Sequence, residues 1–554
     1  MTSTVFHELR KLFFSRFFHN ESSAGGDGLE TSLYQLLGLL ATPGILAAMA
    51  LLPTFFAISA HARAGYEWEL RADRLFFAAW SFSATGFATF FEWDMLFPDR
   101  RDFLILTPFP VRPAEIFGAK LAALGMLLAG IVAATNLPSA LLLPVISMGL
   151  PDARQAGLAR VLAAQAASTG AAALFAFLAV AGLQGLMVNV LNPRLFRKVS
   201  PAVQMAGMSL MILSLLLFPL YSMMMRSLAA QHPDWMALFP CYWFTGLYEI
   251  FVPGPGLRFR ELGWLGIRAT AVAALVFCAC WAAGFRRHYR RTLEAEDTAP
   301  RRRSLFPGMF DWMPDEPGER GIFRFAVRTL AGSLKHRLFL ASYVSVGFSF
   351  GILSVVSLRK GQPGISAFGA RAWPMLVLFF VVSGFRTAFQ FPAEPACNWL
   401  FRICDTGWER AAARATRKAV LAMGILPAVT AFLPFEVWYW GIGTGLGHAL
   451  FEVCAGVLLT EVLFWNFPHV PFTCAYSPGR VHLVFLAGAY LYGFTNYAFR
   501  MAELGVWLDA KGFRMIGFVL GSAVVTAAWQ RLRRAGEPVR FESARPELEA
   551  LDLS

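Results

Sequence analysis

The chain has 554 residues, of which 56% are hydrophobic and 15% are charged, and its formal net charge is +13. Its mean hydropathy of +0.51 excludes a soluble globular protein, and its continuously apolar runs exclude the alternating pattern of a membrane β-barrel. The positive charge lies in loops between apolar runs and not on a folded basic domain, which excludes nucleic-acid binding.

The apolar runs predict about twelve membrane-spanning helices, because roughly 20 apolar residues cross a bilayer as a helix. The predicted spans cover residues 32–60, 75–97, 116–146, 161–191, 203–225, 263–285, 338–358, 372–391, 419–438, 443–467, 481–499 and 513–530. Most lysines and arginines then fall on one side, and the positive-inside rule places both termini in the cytoplasm. The predicted fold class is therefore an all-α, multi-pass integral membrane protein.

The beginning of the chain predicts an amphipathic helix that lies in the membrane interface. Residues 6–18 mix Arg10, Lys11 and Arg16 with leucines and phenylalanines, and they lack the long apolar core of a cleavable signal. Residues 323–337 show the same mixture before a later span. We therefore expect two basic interfacial helices, one at the start of each half of the chain.

The first predicted cytoplasmic turn, residues 97–120, combines charges and prolines with a short apolar piece. Prolines break helices, so the chain turns here outside the hydrocarbon. The charged and apolar side chains of interest are Asp99, Arg100, Arg101, Asp102, Phe103, Leu104 and Leu106. Two interpretations are open: a membrane-edge helix that docks onto a soluble partner, or an ordinary cytoplasmic loop.

A sequence pattern near this turn recurs in the second half. Gly-Phe-x-Thr-x-Phe occupies residues 86–91 and again 384–389, and Lys120 recurs as Lys418, at the same offset of 298 residues (418 minus 120). The pattern predicts a duplication with two tandem six-helix halves. Their bounds are 1–285 and 322–530, with a cytoplasmic linker at 286–321 and a cytoplasmic tail at 531–554. The second copy of the short apolar piece contains Trp399, Leu400 and Phe401.

An aromatic segment between the fifth and sixth spans is predicted to lie outside. Its distinctive residues are Trp243, Phe244, Gly246 and Tyr248. It is either a re-entrant hairpin that gates the outer mouth or an interfacial anchor, since aromatic side chains favour the membrane interface. Both interpretations are open.

Motifs for chemistry are absent from the sequence. No phosphate-binding loop and no nucleophile motif occurs, and we recognise no histidine spacing typical of a metal site. We therefore expect no catalytic residue, no metal and no cofactor on this chain. Glu452 and Glu461 are acids within a predicted span, where ionisable groups often serve function. They are nine residues apart and face opposite sides of one helix.

The segment from Asp102 to Lys120 resembles the cytoplasmic turn of bacterial ABC exporter permeases of the type-two class, and the segment from Trp243 to Tyr248 resembles their outer segment. The resemblance implies two six-helix halves around a path for an unknown substrate, in the bacterial cytoplasmic (inner) membrane. It implies coupling helices that are received by separate ATP-binding-cassette ATPase subunits, two copies in all. ATP would be hydrolysed there and not on this chain, whose other contacts are with membrane lipid. The second half departs from the family pattern, because Asn398 to Asp405 lacks the prolines.

Two other functions fit parts of the sequence. A secondary transporter driven by an ion gradient needs a charged site near the midplane, for which Glu452 or Glu461 could serve. An integral-membrane enzyme that modifies lipids needs a cluster of His, Asp or Glu at one interface, and the sequence analysis identifies none.

Overall fold

The computed structural model divides the chain into two compact units, residues 1–299 and 300–554. It describes residues 2–16, 37–38, 40–53, 66–96, 105–106, 108–148, 151–231, 237–252, 257–294, 310, 312–359, 362–393, 398, 409–465, 467, 470–474 and 483–532. The boundary between the units falls within the predicted linker 286–321. That each unit holds six spans stays a prediction.

The described part of the first unit is helical. Its helices are α1 (Thr2–Arg16), α2 (Leu40–Pro53), α3 (Tyr66–Phe91), α4 (Pro113–Ser147), α5 (Pro151–Ala156), α6 (Leu158–Val190), α7 (Pro193–Leu216), α8 (Phe218–Gln231), α9 (Pro240–Phe251) and α10 (Leu257–Glu294). Local sequence explains several of the starts. Pro113, Pro193 and Pro240 stand at first-turn positions, where a missing N–H costs nothing, and the Asn192 side chain accepts a hydrogen bond from the Leu195 N–H.

The second unit adds a short β-hairpin to its helices. Its elements are α11 (Pro317–Gly332), α12 (Leu334–Val355), β1 (Val356–Arg359), β2 (Gln362–Ile365), α13 (Ala367–Ala388), α14 (Glu409–Val420), α15 (Leu426–Trp440), α16 (Ile442–Leu463), α17 (Leu483–Asp509) and α18 (Gly512–Leu532). A π turn, Leu421–Ile425, joins α14 to α15 in one continuous span. Gly441, with φ of +84°, ends α15 and begins α16, and glycine tolerates this conformation without strain.

The helical membrane character predicted from the sequence is confirmed. Within the described residues, nine helices are long and apolar enough to cross a membrane: 114–147, 158–190, 194–216, 259–283, 334–355, 367–388, 411–440, 442–463 and 512–531. They correspond to nine of the twelve predicted spans. Two more predicted spans coincide with the helices α3 and α17, and residues 32–60 are described only in part. The predicted count of twelve stays a prediction.

Some boundaries differ from those predicted. The predicted span 203–225 is divided at Leu217, where α7 ends and α8 begins. Helix α10 continues to Glu294, beyond the predicted end of the first half, and α11 begins at Pro317, inside the predicted linker. Apolar content alone places the hydrophobic part of a helix, whereas the charged ends continue as helix outside it.

The two units use corresponding pairs of helices for their internal packing. In the first, α3 packs on α6 and α7, and α6 also packs on α4 and α10. In the second, α13 packs on α16 and α17, and α16 also packs on α15 and α18. When spans are numbered within each half, these are the pairs 2–4, 2–5, 3–4 and 4–6 in both units. The pattern Gly-Phe-x-Thr-x-Phe lies at the end of α3 in the first unit and at the end of α13 in the second, which are second spans only in the predicted numbering.

Candidate functional site

The opening helix of the first unit packs against the base of α4. The side chains of Leu9 and Phe13 are buried with Ile116 and Phe117 in one apolar cluster. The Lys120 side chain is buried too, with its ammonium 5.0 Å from the centre of the Phe13 ring. A cation over an aromatic face is attracted by the ring quadrupole, which compensates part of the cost of its burial. Helix α1 is therefore fixed to the lysine that opens the third predicted span.

The predicted coupling residues lie mostly outside the described part of the chain. This holds for Asp99, Arg100, Arg101, Asp102, Phe103, Leu104, Trp399, Leu400 and Phe401. Leu106 is described, and it is buried in the cluster of α1 and α4 instead of being presented to a partner. Its neighbours Ile105 and Phe109, which the prediction left out, are 55% and 59% exposed. The apolar surface at this end of the segment is therefore formed by those two side chains.

The opening helix of the second unit holds the equivalent lysine by charge. The buried Glu319 carboxylate lies 2.7 Å from the Lys418 ammonium and 3.1 Å from the Arg414 guanidinium. Lys418 also donates to the Met313 carbonyl at 2.7 Å and to the Asp315 carboxylate at 3.0 Å. The hydrogen bond and charge of Lys418 lower the pKa of the exposed Asp315 carboxyl. In both units, the first helix thus contacts the lysine that the sequence repeat aligns.

The predicted outer segment forms the helix α9, which packs against α10. Phe244 and Tyr248 are buried, and Trp243 is half-buried, with its indole N–H donating to the Ala237 carbonyl at 2.7 Å. At Gly246 the backbones touch: an added Cβ would overlap the Phe259 carbonyl oxygen and would lie 2.7 Å from the Gly263 nitrogen. Close packing on α10 is compatible with both interpretations of α9, and whether it gates the outer mouth or anchors the segment in the membrane interface stays a prediction.

A buried ion pair, which was not predicted, joins α9 to α3. The Arg71 guanidinium of α3 contacts the Glu249 carboxylate of α9 at 2.5 Å and 3.3 Å, and both side chains are almost completely buried. The same guanidinium lies 4.9 Å from the Phe259 ring centre, so three helices meet at one cation. The partners are 178 residues apart in sequence, and no local pattern connects them.

A second polar cluster lies in the α15–α16 hairpin and joins Glu436, His448 and Glu452. All three side chains are buried, at 1% exposure or less. The His448 Nδ1 atom lies 2.9 Å from a Glu436 oxygen and 3.1 Å from a Glu452 oxygen. The prediction that no histidine is spaced with acids for a metal site overlooks His448 and Glu452, which stand one helical turn apart. Glu436 lies on the preceding helix, so its contact with His448 could be predicted only from the fold of the hairpin.

The second intramembrane acid of the prediction, Glu461, has different partners. Its carboxylate pairs with the Arg417 guanidinium at 2.9 Å and accepts from the Gln530 amide at 3.0 Å. Glu452 and Glu461 therefore act in separate networks, as their spacing predicted. The amides of Gln184 and Asn189, both on α6, donate to backbone carbonyls of other segments, at Trp93 and Cys280. Such bonds hold helices together.

No family model, no curated protein and no solved structure matches this chain.

Proposed function

We propose that the chain is the permease subunit of an ATP-binding-cassette exporter. The observation that carries the proposal is the repeated contact at the base of each unit, where the opening helix holds the aligned lysine. In the first unit Phe13 covers Lys120, and in the second Glu319 pairs with Lys418. Lys120 follows the segment that resembles a coupling helix, and Lys418 follows the corresponding segment of the second half. A coupling segment can pass the motion of an ATPase to the membrane spans only if the span that follows it is held rigidly where it begins, and these contacts hold it there.

The shared helix pairs support the duplication on which this function depends. The pairs 2–4, 2–5, 3–4 and 4–6 recur in the two units although few residues are identical between them. Two halves with one packing scheme suit such a permease, with the ATPases, two copies in all, received at the segments around residues 99–113 and 396–408. Under this proposal the chain lies in a bacterial cytoplasmic membrane with both termini in the cytoplasm, and it exports a substrate.

The proposal predicts that an ATPase associates with this chain and responds to it. We expect a neighbouring gene to encode an ATP-binding-cassette protein, and we expect that protein to co-purify with the full chain in mild detergent. We also expect the ATPase to hydrolyse ATP faster in vesicles that contain the chain than in empty vesicles. An ATPase that neither co-purifies nor changes its hydrolysis rate would contradict the proposal. An ATPase from an unrelated transporter is the control.

A second candidate function, an ion-driven transporter, is favoured by the cluster of Glu436, His448 and Glu452. Buried ionisable groups in a membrane segment are costly and often mark an ion pathway. This function predicts that the chain alone, in vesicles without any ATPase, dissipates an imposed ion gradient. The permease proposal predicts that the gradient persists.

The predicted orientation gives a test that does not depend on a partner. We expect a cysteine at Trp312, in the linker region, to react with a membrane-impermeant thiol reagent only from the cytoplasmic side. A cysteine at Leu238, beside α9, is expected to react only from the outer side. Both side chains are well exposed, at 76% and 77%, so access to the reagent is not limited by packing. Labelling of the Trp312 position from outside would contradict the two-half arrangement.

A further inference from the structure

We propose that Glu436, His448 and Glu452 bind a divalent transition-metal ion in the second unit, a site independent of the proposed coupling to an ATPase. Their donor atoms, one per residue, all lie within 4.8 Å of one another. Two carboxylates and a neutral imidazole carry the charge that neutralises one divalent ion. An imidazole among the donors favours manganese, iron, cobalt or zinc over magnesium and calcium, which prefer oxygen alone.

The donor atoms that remain without hydrogen bonds are the first reason for the proposal. His448 Nδ1 carries at most one hydrogen and donates it to Glu436 at 2.9 Å. Both oxygens of Glu452 and the second oxygen of Glu436 then have no hydrogen-bond partner within the described residues. No described lysine or arginine forms an ion pair with either acid. The two acids thus share a single imidazole, whose Nδ1 lies 2.9 Å from Glu436 and 3.1 Å from Glu452, and a bound cation would supply the charge partner that buried carboxylates need.

The spacing of the donors is the second reason. A metal bonded at about 2.1 Å to two neighbouring ligands at a right angle holds them about 3.0 Å apart. The distances from His448 Nδ1 to the two carboxylates, 2.9 Å and 3.1 Å, match this spacing. The site would thus supply three ligands on one side of the ion. Tyr497 of α17, a buried hydroxyl without a hydrogen-bond partner among the described residues, lies within electrostatic range of Glu452.

Aromatic and charged neighbours hold the imidazole in place near the end of the hairpin. The Trp440 ring lies 5.0 Å from the His448 ring, and the Arg371 guanidinium, paired with Asp509, lies 5.0 Å from the same indole. Glu436 and His448 stand one and two helical turns from the chain reversal at Gly441, so roughly 10 Å of helix separates the site from that end of the hairpin. The half-buried Trp440 covers the site on this side.

Metal binding by the purified full-length protein tests the proposal. After treatment with a chelator, the protein in detergent is dialysed separately against Mn²⁺, Co²⁺ and Zn²⁺, and bound metal is measured by mass spectrometry. We expect one ion per chain for at least one metal, a visible absorption band for Co²⁺, and a rise in Tm of several degrees. In Glu452→Gln and His448→Leu we expect the affinity for the metal to fall by more than ~100-fold, because loss of a residue that only supports a metal ligand costs ~10–100-fold.

Two controls separate metal binding from folding. Glu461→Gln changes another buried acid on the same helix and should leave metal binding unchanged. In the presence of chelator, Glu452→Gln should be at least as stable as the original protein, because an amide costs less to bury than a carboxyl group, while losing the metal-dependent rise in Tm. If the protein binds less than one ion per chain for each of the three metals and its Tm does not change, the proposal is wrong and the cluster holds only a proton. Equal binding by the original protein and both cluster variants would overturn the proposal as well.

Discussion

Replacing Phe103 and Leu104 together by aspartate is expected to release the ATPase from the full chain and to remove its stimulation of ATP hydrolysis. In the proposed function these two side chains belong to the surface that an ATPase subunit covers. They lie outside the described residues, but the neighbouring Ile105 is exposed. A charge placed in an apolar interface loses its hydration without gaining a partner, so binding should weaken by several kcal/mol, which is a factor of at least ~100. Co-purification and ATP hydrolysis measure the effect.

The alternative is that this piece packs within the permease, and Leu106→Asp is the matched control for it. Leu106 is buried against α1 and α4, so a charge there should lower the Tm of the permease in detergent. The double variant at Phe103 and Leu104 should leave that Tm unchanged. If the double variant instead destabilises the protein as Leu106→Asp does, the segment belongs to the core. If it retains the ATPase with normal hydrolysis, the proposed coupling is wrong.

Replacing Gly246 by alanine is expected to have the largest effect on the fold of the first unit. The added Cβ would overlap the Phe259 carbonyl and press on the Gly263 backbone, and a backbone cannot turn aside as a flexible side chain does. Helices α9 and α10 would have to separate, which also pulls Glu249 from Arg71. We expect a loss of about 3 kcal/mol or more, the upper end for overpacking, seen as a lower Tm and poor recovery of folded protein.

A glycine in open space provides the control for this prediction. A Cβ at Gly170, on α6, meets no atom within 4 Å. Gly170→Ala should therefore be neutral or stabilise the helix by up to about 1 kcal/mol, because alanine loses less backbone entropy. The two glycine variants are thus expected to change stability in opposite directions. A Gly246→Ala protein with unchanged Tm would show that α9 and α10 are not in close contact.

Hydropathy and charge predicted most of the helices, because apolar length decides whether a helix can cross a membrane. They also predicted the two opening helices, whose mixture of basic and apolar residues is local. Contacts between distant residues were beyond this reasoning. Nothing in the sequence shows that Arg71 faces Glu249, or that Glu319 reaches Lys418, since each pair depends on how helices pack. The pair His448 and Glu452 is different, because its one-turn spacing is a local feature from which the contact could have been predicted.

The π turn at Leu421–Ile425 determines which way the following helix faces. A π turn holds one residue more than an α-helical turn, and each residue rotates a helix by about 100°. Without that extra residue, Glu436 would point about 100° away from His448. The corresponding stretch of the first unit, residues 123–127 on the same offset, is continuous α-helix within α4, and position 138 there is proline instead of glutamate. Because the offset stays the same on both sides of this stretch, the π turn changes the phase of the helix that follows it without any change in residue number, and in the second unit it directs Glu436 towards His448.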